Sequence, residues 1–362
     1  MSVIDPANQY LLQLLREAPS ETLWWVDENI LTLPTTIKGI SAITNRYDLY
    51  QQLKQHHWPA NFSDFDASHI AESSLSCVLL RLPKEKSLVH FLINQTARLL
   101  KPGGELCLIG DKSEGIRGFN KRAATRLGGN LEEKKISGGL WFGKITSNPG
   151  KAGEPLDDHN YPQLREVLDS FDTGFQFISK PGVYGWQKID SGSHFLIEHL
   201  PGMLDQPLPL SGKVLDLGCG YGYLSLKAAG PQTHLTCTDN NAAALMCCEA
   251  NLAARHLSGH VIASNAGDLV SDQYDTILCN PPFHSGFATN TELTERFVAA
   301  AARCLKSNGN ACFVVNKHIA IEQKASKYFA NISVYTENNH FKLIHLRQPK
   351  ASKTKYLHTS DQ

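Results

Sequence analysis

An amide side chain, two prolines and an aromatic ring follow one another at residues 280–283, directly after a short apolar run. The run at 276–279 is typical of a buried strand, and it ends on Asn280, Pro281, Pro282 and Phe283. Adjacent prolines cannot continue a sheet because they lack the N–H group that a strand ladder needs. The strand therefore ends on a hydrogen-bonding side chain, a rigid backbone and a flat ring.

A second group of residues that could bind a ligand is the glycine-rich turn DLGCGYG at 216–222, which follows a strand-like run. Glycines at alternate positions let the backbone turn tightly and approach a ligand. Tyr223 stands where a dinucleotide-binding turn needs a small residue. Asp216, two residues before the first glycine, would repel a phosphate but suits an ammonium group. The turn predicts a small nucleoside with an amino-acid portion, contacted by Asp216, Gly218, Cys219, Gly220 and Gly222.

Polar residues also follow the next two predicted strands. Asp239 ends the strand after the glycine turn and is placed to accept hydrogen bonds from ribose hydroxyls, with Asn240 beside it. Asn265 and Ala266 follow the third strand and are expected to meet an adenine edge. Taken alone, the glycines suit an ordinary turn and Asp239 suits a helix cap. Their order on successive strands favours a binding site.

Strand and helix patterns alternate through the C-terminal half, which predicts a parallel, doubly wound sheet. The last two strand-like runs flank residues 337–339, and this spacing indicates an antiparallel hairpin at the end of the sheet. The N-terminal half resembles a faded copy of this plan. Residues 97–107 match 302–312 in Ala, Arg, Leu, Lys, Gly and Cys, and 76–86 occupy the position of 275–285. Chance similarity between helix–loop–strand units is the alternative.

The first copy has no glycine-rich turn, and Arg81 and Leu82 replace Asn280 and Pro281. We therefore expect an α/β protein with two tandem Rossmann-like domains, the first degenerate. The predicted boundaries are 1–150 for the first domain, 151–165 for a linker, 166–350 for the catalytic domain and 351–362 for a polar tail.

Composition restricts the class of protein. Of 362 residues 42% are apolar, and 35 basic residues balance 35 acidic ones, which is typical of a globular protein with an ample core. The nine cysteines form no C-x-x-C pair, so we expect buried thiols in a reducing compartment and no metal site. Without a signal-peptide pattern or a long apolar run, the expected location is the cytoplasm, with no membrane partner.

The motifs DLGCGYGYL, CTDN and CNPPF, in this order, resemble those of class I S-adenosylmethionine-dependent methyltransferases. The whole chain is similar to the ribosomal RNA small subunit methyltransferase C family, and the segments NPPFHSG, LPKEK, GDKSEGIR and LWFGKI fit that family best. Gly185 and Trp186 depart from its pattern, which usually has Ser and Arg there. The resemblance implies S-adenosylmethionine as cofactor, a degenerate N-terminal domain and methylation of a guanine N2 amine in 16S rRNA.

The residues that end the apolar strand suit this implied chemistry. The lone pair of the guanine 2-amino group is delocalised into the ring, so an enzyme must orient the amine towards the methyl donor. The side-chain oxygen of Asn280 and the carbonyl oxygen of Pro281, held rigidly by Pro282, can accept its two hydrogens. Phe283 can stack on the purine. The target nucleotide must be unpaired or flipped out.

Basic residues concentrate between Arg81 and Lys144, where thirteen face six acidic ones, an excess of seven positive charges in a neutral chain. We expect the first domain to dock 16S rRNA or the small ribosomal subunit through phosphates, with a solvated basic face as the alternative. Trp186 is expected either to stack on a base or to pack on the surface. The residues expected to contact RNA are Lys112, Arg117, Lys121, Arg122 and Trp186.

Other functions use the same motifs. The large-subunit guanine-N2 methyltransferase shares the two-domain plan, so 23S rRNA is the main alternative substrate. DNA adenine and release-factor glutamine methyltransferases share Asn-Pro-Pro but lack the duplicated half and more often have Tyr at the position of Phe283. A non-catalytic RNA-binding factor is disfavoured because Asp216, Asp239 and Asn280 are all present. We expect the enzyme to act as a monomer.

Overall fold

The computed structural model describes residues 6–30, 33–168, 175–282 and 290–350. Phe283 and the polar tail predicted at 351–362 lie outside this range. The chain divides into two compact units. Among the described residues the first unit comprises those up to 187 together with 240–247, and the second comprises 188–239, 248–282 and 290–350. The boundaries predicted from the sequence stay predictions.

The first unit contains a seven-stranded sheet in the order β3-β2-β1-β4-β5-β7-β6. Strands β1 to β5 are parallel to one another, and β7 is antiparallel to both β5 and β6. The elements are α1 Pro6–Glu17, β1 Thr22–Val26, β2 Ile40–Thr44, α2 Tyr47–Gln55, β3 Ala60–Phe62, β4 Leu75–Arg81, α3 Lys86–Leu99, β5 Leu100–Asp111, α4 Ile116–Leu127, β6 Leu131–Ser137 and β7 Leu140–Thr146. An antiparallel pair follows, β8 Arg165–Leu168 and β9 Gln176–Ser179.

The second unit repeats this sheet in the order β12-β11-β10-β13-β14-β16-β15. Its elements are α5 Ser191–Leu204, β10 Leu210–Leu217, α6 Tyr223–Ala228, β11 Ala229–Asp239, α7 Ala242–Ala254, β12 Gly259–Ala263, β13 Tyr274–Cys279, α8 Asn290–Cys304, β14 Leu305–Asn316, α9 Ile321–Ala325, β15 Phe329–Glu337 and β16 Phe341–Pro349. Residues 242–247 of α7 count with the first unit. The predicted fold class is confirmed, including the antiparallel hairpin of β15 and β16.

The two sheets share their register as well as their strand order. In the first, Trp24 pairs with Ala42 and Leu79. In the second, Asp216 pairs with Cys237 and Leu278. Since Leu79 and Leu278 pair in turn with Cys107 and Cys312, the matching strands align residue for residue. This agreement supports a duplication, and it places Trp24 at the position of Asp216 and Arg81 at that of Asn280.

Apolar side chains cover both faces of the first sheet. One face packs on a core that includes Trp25, Val78 and Leu92, and the other on a core that includes Trp24, Leu79 and Trp58. In the second unit one core gathers side chains of β10, β13, β14 and α8. Burial on both faces explains why the parallel strands read as continuous apolar runs in the sequence.

All nine cysteines are free thiols and buried. The described part of the chain contains no cluster of three or more His, Cys, Asp or Glu side chains suited to a metal ion. No helix in the ranges given above is both long and apolar enough to cross a membrane.

Candidate active site

The predicted glycine turn connects β10 to α6. Gly218, Gly220 and Gly222 have φ angles of +82°, +56° and +91°, in the left-handed region that favours glycine. The backbone N–H groups of Gly218 and Cys219 both donate to the carbonyl oxygen of Thr238, at 2.9 and 2.8 Å. A Cβ atom placed on Gly220 would meet no atom of the described residues within 4 Å, apart from those of Gly220 and its two chain neighbours. The outer side of the turn at Gly220 is therefore open to a ligand.

Asp216 lies beneath this turn and is fully buried. Its Oδ2 atom accepts hydrogen bonds from the hydroxyl and the backbone N–H of Ser225, at 2.6 and 3.1 Å. Its Oδ1 atom is also buried and has no hydrogen-bond partner within the described ranges. Burial raises the pKa of Asp216 to about 8, against the lowering effect of the Ser225 hydrogen bonds. A buried oxygen without a partner is costly, so this atom marks a place for a polar group of a ligand, and a cationic donor bound there would favour the ionised carboxylate.

Asp239 ends β11 next to the same turn. Its Oδ2 atom accepts a hydrogen bond from the backbone N–H of Gly220 at 2.9 Å. Its backbone carbonyl accepts one from the N–H of Ser264 at 2.9 Å. The carboxylate predicted to bind ribose thus also fixes the turn predicted to face the ligand.

Asn240, predicted beside Asp239 in the site, belongs to the first unit. Its Oδ1 accepts a hydrogen bond from the backbone N–H of Asp48 at 2.8 Å, and its Nδ2 donates to Asp48 Oδ1 at 2.9 Å. The backbone carbonyl of Asn240 accepts a further bond from Tyr47 at 2.8 Å. Both ends of this amide already have protein partners, and its role towards a cofactor stays a prediction.

Asn265 and Ala266, which are predicted to meet an adenine edge, follow β12. The backbone N–H of Asn265 donates to Asp268 Oδ1 at 2.9 Å, and its carbonyl accepts from Arg296 at 3.3 Å. Ala266 has a φ of +52°, which a non-glycine residue adopts at a cost. These contacts hold the segment in a defined turn at the carboxyl end of the sheet.

Asn280 follows β13, which is the strand next to β10. Its Nδ2 donates to Asp190 Oδ2 at 2.7 Å and to Ser193 Oγ at 2.9 Å. Pro281 is buried and Pro282 is exposed. Phe283, the fourth residue of the predicted catalytic set, lies outside the described residues. The other three stand at the same sheet edge as the glycine turn, because the carboxyl ends of adjacent parallel strands meet there.

The equivalent positions of the first unit are filled by its own side chains. Trp24, at the position of Asp216, is fully buried and packs on Trp58 with ring centroids 5.4 Å apart. Arg81, at the position of Asn280, is buried and forms a bidentate ion pair with Glu114 at 2.7 and 2.8 Å. Arg81 also donates to the carbonyl of Leu82 at 2.9 Å. The first unit thus has an indole and a paired guanidinium at the strand positions that hold Asp216 and Asn280 in the second.

The side chains predicted to contact RNA in the first unit are exposed on or near α4. Lys112, Lys121 and Arg122 are all exposed. Arg117 lies over the ring of Trp141 at 4.5 Å and pairs with Glu133 at 3.4 Å. Part of the local positive charge is therefore already paired, as it is at Lys144 with Glu105 and Glu132.

Trp186, the remaining residue predicted to contact RNA, is half-buried in the turn after β9. The guanidinium of Arg165 lies 5.2 Å from its ring centroid. The Arg165 guanidinium is in turn held by the carbonyls of His159 and Asn160, at 2.6 and 3.1 Å. The cation thus takes part of the indole surface that a base would need, and stacking on a base stays a prediction.

Sequence reasoning missed Asp190, Ser193 and Ser225 as parts of the site. Asp190 begins α5 as its N-cap, and Ser225 lies within α6. An Asp just before a helical segment is a common N-cap signal, so the capping role of Asp190 could be read from the sequence. Their contacts to Asn280 and Asp216 join residues far apart in the sequence, and no local pattern indicates them.

Two family models match the chain. The "Methyltransferase small domain" model matches residues 174–345, and its N-terminal companion, "Methyltransferase small domain N-terminal", matches 24–132. A protein of Shewanella loihica named "Ribosomal RNA small subunit methyltransferase C" is 31% identical over 309 residues, which are 84% of this chain and 86% of that protein. The chain belongs to the ribosomal RNA small subunit methyltransferase C family.

A second member of this family, from Shewanella denitrificans, is 31% identical over 88% of this chain and 90% of its own length. Among solved structures, the fold resembles one described as a "T. thermophilus 16S rRNA N2 G1207 methyltransferase in complex with AdoMet and guanosine". The two structures superimpose with a TM-score of 0.82 and are 23% identical in sequence. The match covers 96% of this chain and 93% of the other. The two-domain plan of the methyltransferase C family thus extends over nearly the whole chain.

Proposed function

We propose that this methyltransferase transfers a methyl group from S-adenosylmethionine to the exocyclic N2 amine of a guanosine in 16S rRNA. One observation carries the proposal most directly. The glycine turn after β10 and Asn280-Pro281 after β13 stand at the carboxyl ends of adjacent parallel strands. In open α/β sheets this edge is where ligands bind. A cofactor turn and a pair of amine acceptors are therefore neighbours.

The residues of the turn fit S-adenosylmethionine. The buried Oδ1 atom of Asp216 lacks a partner among the described residues and suits the ammonium group of the methionine portion, directly or through a water molecule. The open side of Gly220 lets the backbone approach a ligand. Asp239 is placed to accept from ribose hydroxyls, and Cys219, Asn265 and Ala266 are assigned to the same ligand. The chemistry supplied by this cofactor when bound is an electrophilic methyl group on a cationic sulfur.

The chain's own contribution to the transfer step is orientation. The side-chain oxygen of Asn280 and the backbone carbonyl of Pro281 accept the two hydrogens of the N2 amine, and this fixes the direction of its lone pair. The rigid Pro281-Pro282 backbone leaves little reorganisation for the transition state. The amine needs no strong base before it reacts. Its lone pair would displace a neutral thioether from the methyl carbon, with the methyl–sulfur bond breaking as the carbon–nitrogen bond forms, and its proton would then leave to water. Phe283 is assigned a stacking role by its position in the motif.

The RNA substrate is proposed from three considerations. Curated relatives of similar length bear the name "Ribosomal RNA small subunit methyltransferase C", and the solved structural relative is described as a 16S rRNA N2 methyltransferase. The first unit presents exposed cations at Lys112, Lys121 and Arg122, which suit phosphate groups. We therefore assign RNA docking to the first unit and chemistry to the second, in a cytoplasmic monomer.

To test this, the protein is incubated with labelled S-adenosylmethionine and one candidate substrate at a time: 16S rRNA, the small subunit, 23S rRNA, DNA or a release factor. The expected product is labelled N2-methylguanosine in 16S rRNA or in the small subunit. Label confined to protein or DNA would contradict the proposal. Label confined to 23S rRNA would keep the chemistry and replace the substrate. Comparing naked 16S rRNA with the small subunit identifies the form that is recognised.

A further inference from the structure

The amide of Asn280 is held by two partners that determine which way it points. Its Nδ2 donates to Asp190 Oδ2 at 2.7 Å and to Ser193 Oγ at 2.9 Å. Asp190 Oδ2 acts as an acceptor at this place, since it also accepts from the backbone N–H of Ser193, so the NH2 end of the amide must face Asp190. The Oδ1 end must then face the other way. The polarity of Asn280 is thus set by a neighbouring side chain.

Asp190 is itself held in place by the start of α5. It is the N-cap of this helix, with an extended backbone at φ −71° and ψ 126°. The same oxygen that accepts from Asn280 also accepts from the backbone N–H of Ser193, at 2.8 Å. Because two donors converge on Oδ2, the carboxylate cannot rotate away without losing both bonds. The helix start therefore provides a rigid support for the amide.

We propose that Asp190 and Ser193 are positioning residues that present the side-chain oxygen of Asn280, rather than its NH2 group, to the substrate amine. This inference rests on the proposed function, in which Asn280 accepts from that amine. Hydrogen bonding of the NH2 group to a carboxylate also polarises the amide and strengthens its oxygen as an acceptor. The pair thereby orients and strengthens one group of the catalytic machinery.

The arrangement has a consequence for substrate choice. An amide in the opposite orientation would present a donor and would bind a carbonyl edge, such as that of uracil or guanine O6. With Asp190 in place, a carbonyl offered to Asn280 meets an acceptor and is left without a hydrogen bond. Sites that leave a polar group unpaired discriminate strongly against it. Asp190 thus favours an exocyclic amine over a carbonyl.

Three substitutions of Asp190 separate its role as the N-cap of α5 from its role in orienting Asn280. Asp190→Asn retains one side-chain oxygen. The backbone N–H of Ser193 holds this oxygen where Oδ2 was, so the hydrogen bonds from Ser193 and from Asn280 both persist. Asp190→Ser keeps a cap for α5 but is too short to reach Asn280. Asp190→Ala removes both. We expect kcat to fall about 10- to 100-fold in Asp190→Ser and Asp190→Ala, with the cofactor Kd and the RNA KM within about twofold, since misplacing one catalytic group costs about this much.

Asp190→Asn is expected to stay within about threefold of the wild type. Ser193→Ala leaves the cap intact, because the cap uses the backbone N–H, and it removes one bond to Asn280. Its kcat is expected to fall about 2- to 10-fold. If Asp190→Ser keeps the wild-type kcat while Asp190→Ala loses it together with melting temperature, Asp190 is only a helix cap and the proposal is overturned. Rates are compared on whichever RNA the wild type methylates.

A measurement without turnover tests the same point. In protein labelled with 15N-asparagine, the NH2 signal of Asn280 is assigned by its loss in Asn280→Ala. We expect slow hydrogen exchange for this NH2 in the wild type and in Asp190→Asn, and exchange at least tenfold faster in Asp190→Ser. Equal exchange in all three would overturn the positioning role. Protection of the NH2 group in a protein that methylates no RNA would instead reject the proposed function alone.

Discussion

The carboxylate of Asp239 accepts a hydrogen bond from the backbone N–H of Gly220 at 2.9 Å, so the end of β11 supports the turn that follows β10. A loop with three left-handed residues has many alternative conformations in the absence of such support. This bond converts a flexible glycine sequence into a defined surface. It also means that Asp239 has a structural role beside any contact with ribose.

Replacing Asp239 by Ala should weaken cofactor binding through both roles. We expect the Kd for S-adenosylmethionine, measured by calorimetry, to rise by about 10- to 100-fold, because a charged hydrogen bond of about 1.5–3 kcal/mol is lost. The matched control is Asp272→Ala, which removes an exposed partner of Lys213 in the same unit. A Kd for Asp239→Ala equal to that of the control would exclude both roles.

Replacing Gly220 by Ala places a methyl group in the open space beside the turn. The left-handed conformation costs a non-glycine residue about 1–2 kcal/mol, so the protein should remain folded. Cofactor binding should nevertheless fall at least tenfold, since the backbone can no longer approach the ligand. Gly138→Ala is the matched control, because Gly138 has a φ of +48° and equally open surroundings in the first unit. Similar cofactor affinity in both variants would show that Gly220 does not face the ligand.

Removing the amide of Asn280 should separate binding from transfer. We expect Asn280→Ala to bind S-adenosylmethionine with unchanged affinity and to lose methyl transfer by about 10²- to 10³-fold, as the loss of one oriented polar group typically does. Single-turnover rates with 16S rRNA provide the measurement. A variant with near-normal turnover would reject the mechanism in which Asn280 accepts from the amine.

The pKa of Asp216, raised to about 8 by burial, predicts a pH dependence of stability. An unfolded Asp has a pKa of about 3.9. Between about pH 4 and pH 8 the folded state therefore keeps a proton that the unfolded state releases, and stability falls as the pH rises through this window. Above pH 8 both states are ionised and the decline ends.

Asp216→Asn should remove this contribution, so its melting temperature should rise relative to the wild type as the pH goes from 5 to 8. Asp27, whose pKa burial raises to about 7, contributes a decline of the same sign in both proteins. It therefore cancels in the comparison. Parallel melting-temperature profiles for the wild type and Asp216→Asn would show that Asp216 is not a protonated buried acid.

Reversing the charges of Lys112, Arg117 and Lys121 to Glu should weaken RNA binding. Each lost phosphate contact reduces both the affinity and its dependence on salt. We expect at least a tenfold higher Kd for 16S rRNA in filter binding at low salt, with the Kd for S-adenosylmethionine unaffected. Reversal of the exposed Arg16, Lys38 and Lys54 gives the same change of net charge elsewhere in the first unit. Equal losses in the two triple variants would exclude a specific docking face.

The apolar runs and the glycine turn of the C-terminal half predicted the sheet of the second unit, and the similarity of the N-terminal half to it predicted the sheet of the first. The sequence also placed Asp216, Asp239 and Asn280 at or near the carboxyl ends of three strands, which the structure shows to be β10, β11 and β13. It did not indicate the pair β8 and β9, whose strands are only four residues long.

The unpredicted features of the site are contacts between distant residues. Asn280 and Asp190 lie 90 positions apart, and Asn240 and Asp48 lie 192 apart. Such pairs depend on the completed packing, and each side chain by itself has an adequate local explanation as a cap or a loop residue. A local sequence pattern can therefore indicate Asn280 as an acceptor, but it cannot indicate Asp190 as the residue that orients it.

Trp24 and the Arg81–Glu114 ion pair distinguish the first unit from the second. They fill with the chain's own atoms the positions that Asp216 and Asn280 occupy in the other copy. Their stabilising contacts are part of the folded chain itself. A ligand stabilises the part of a protein that binds it, so we expect S-adenosylmethionine to raise the melting temperature of the second unit and to leave that of the first unchanged.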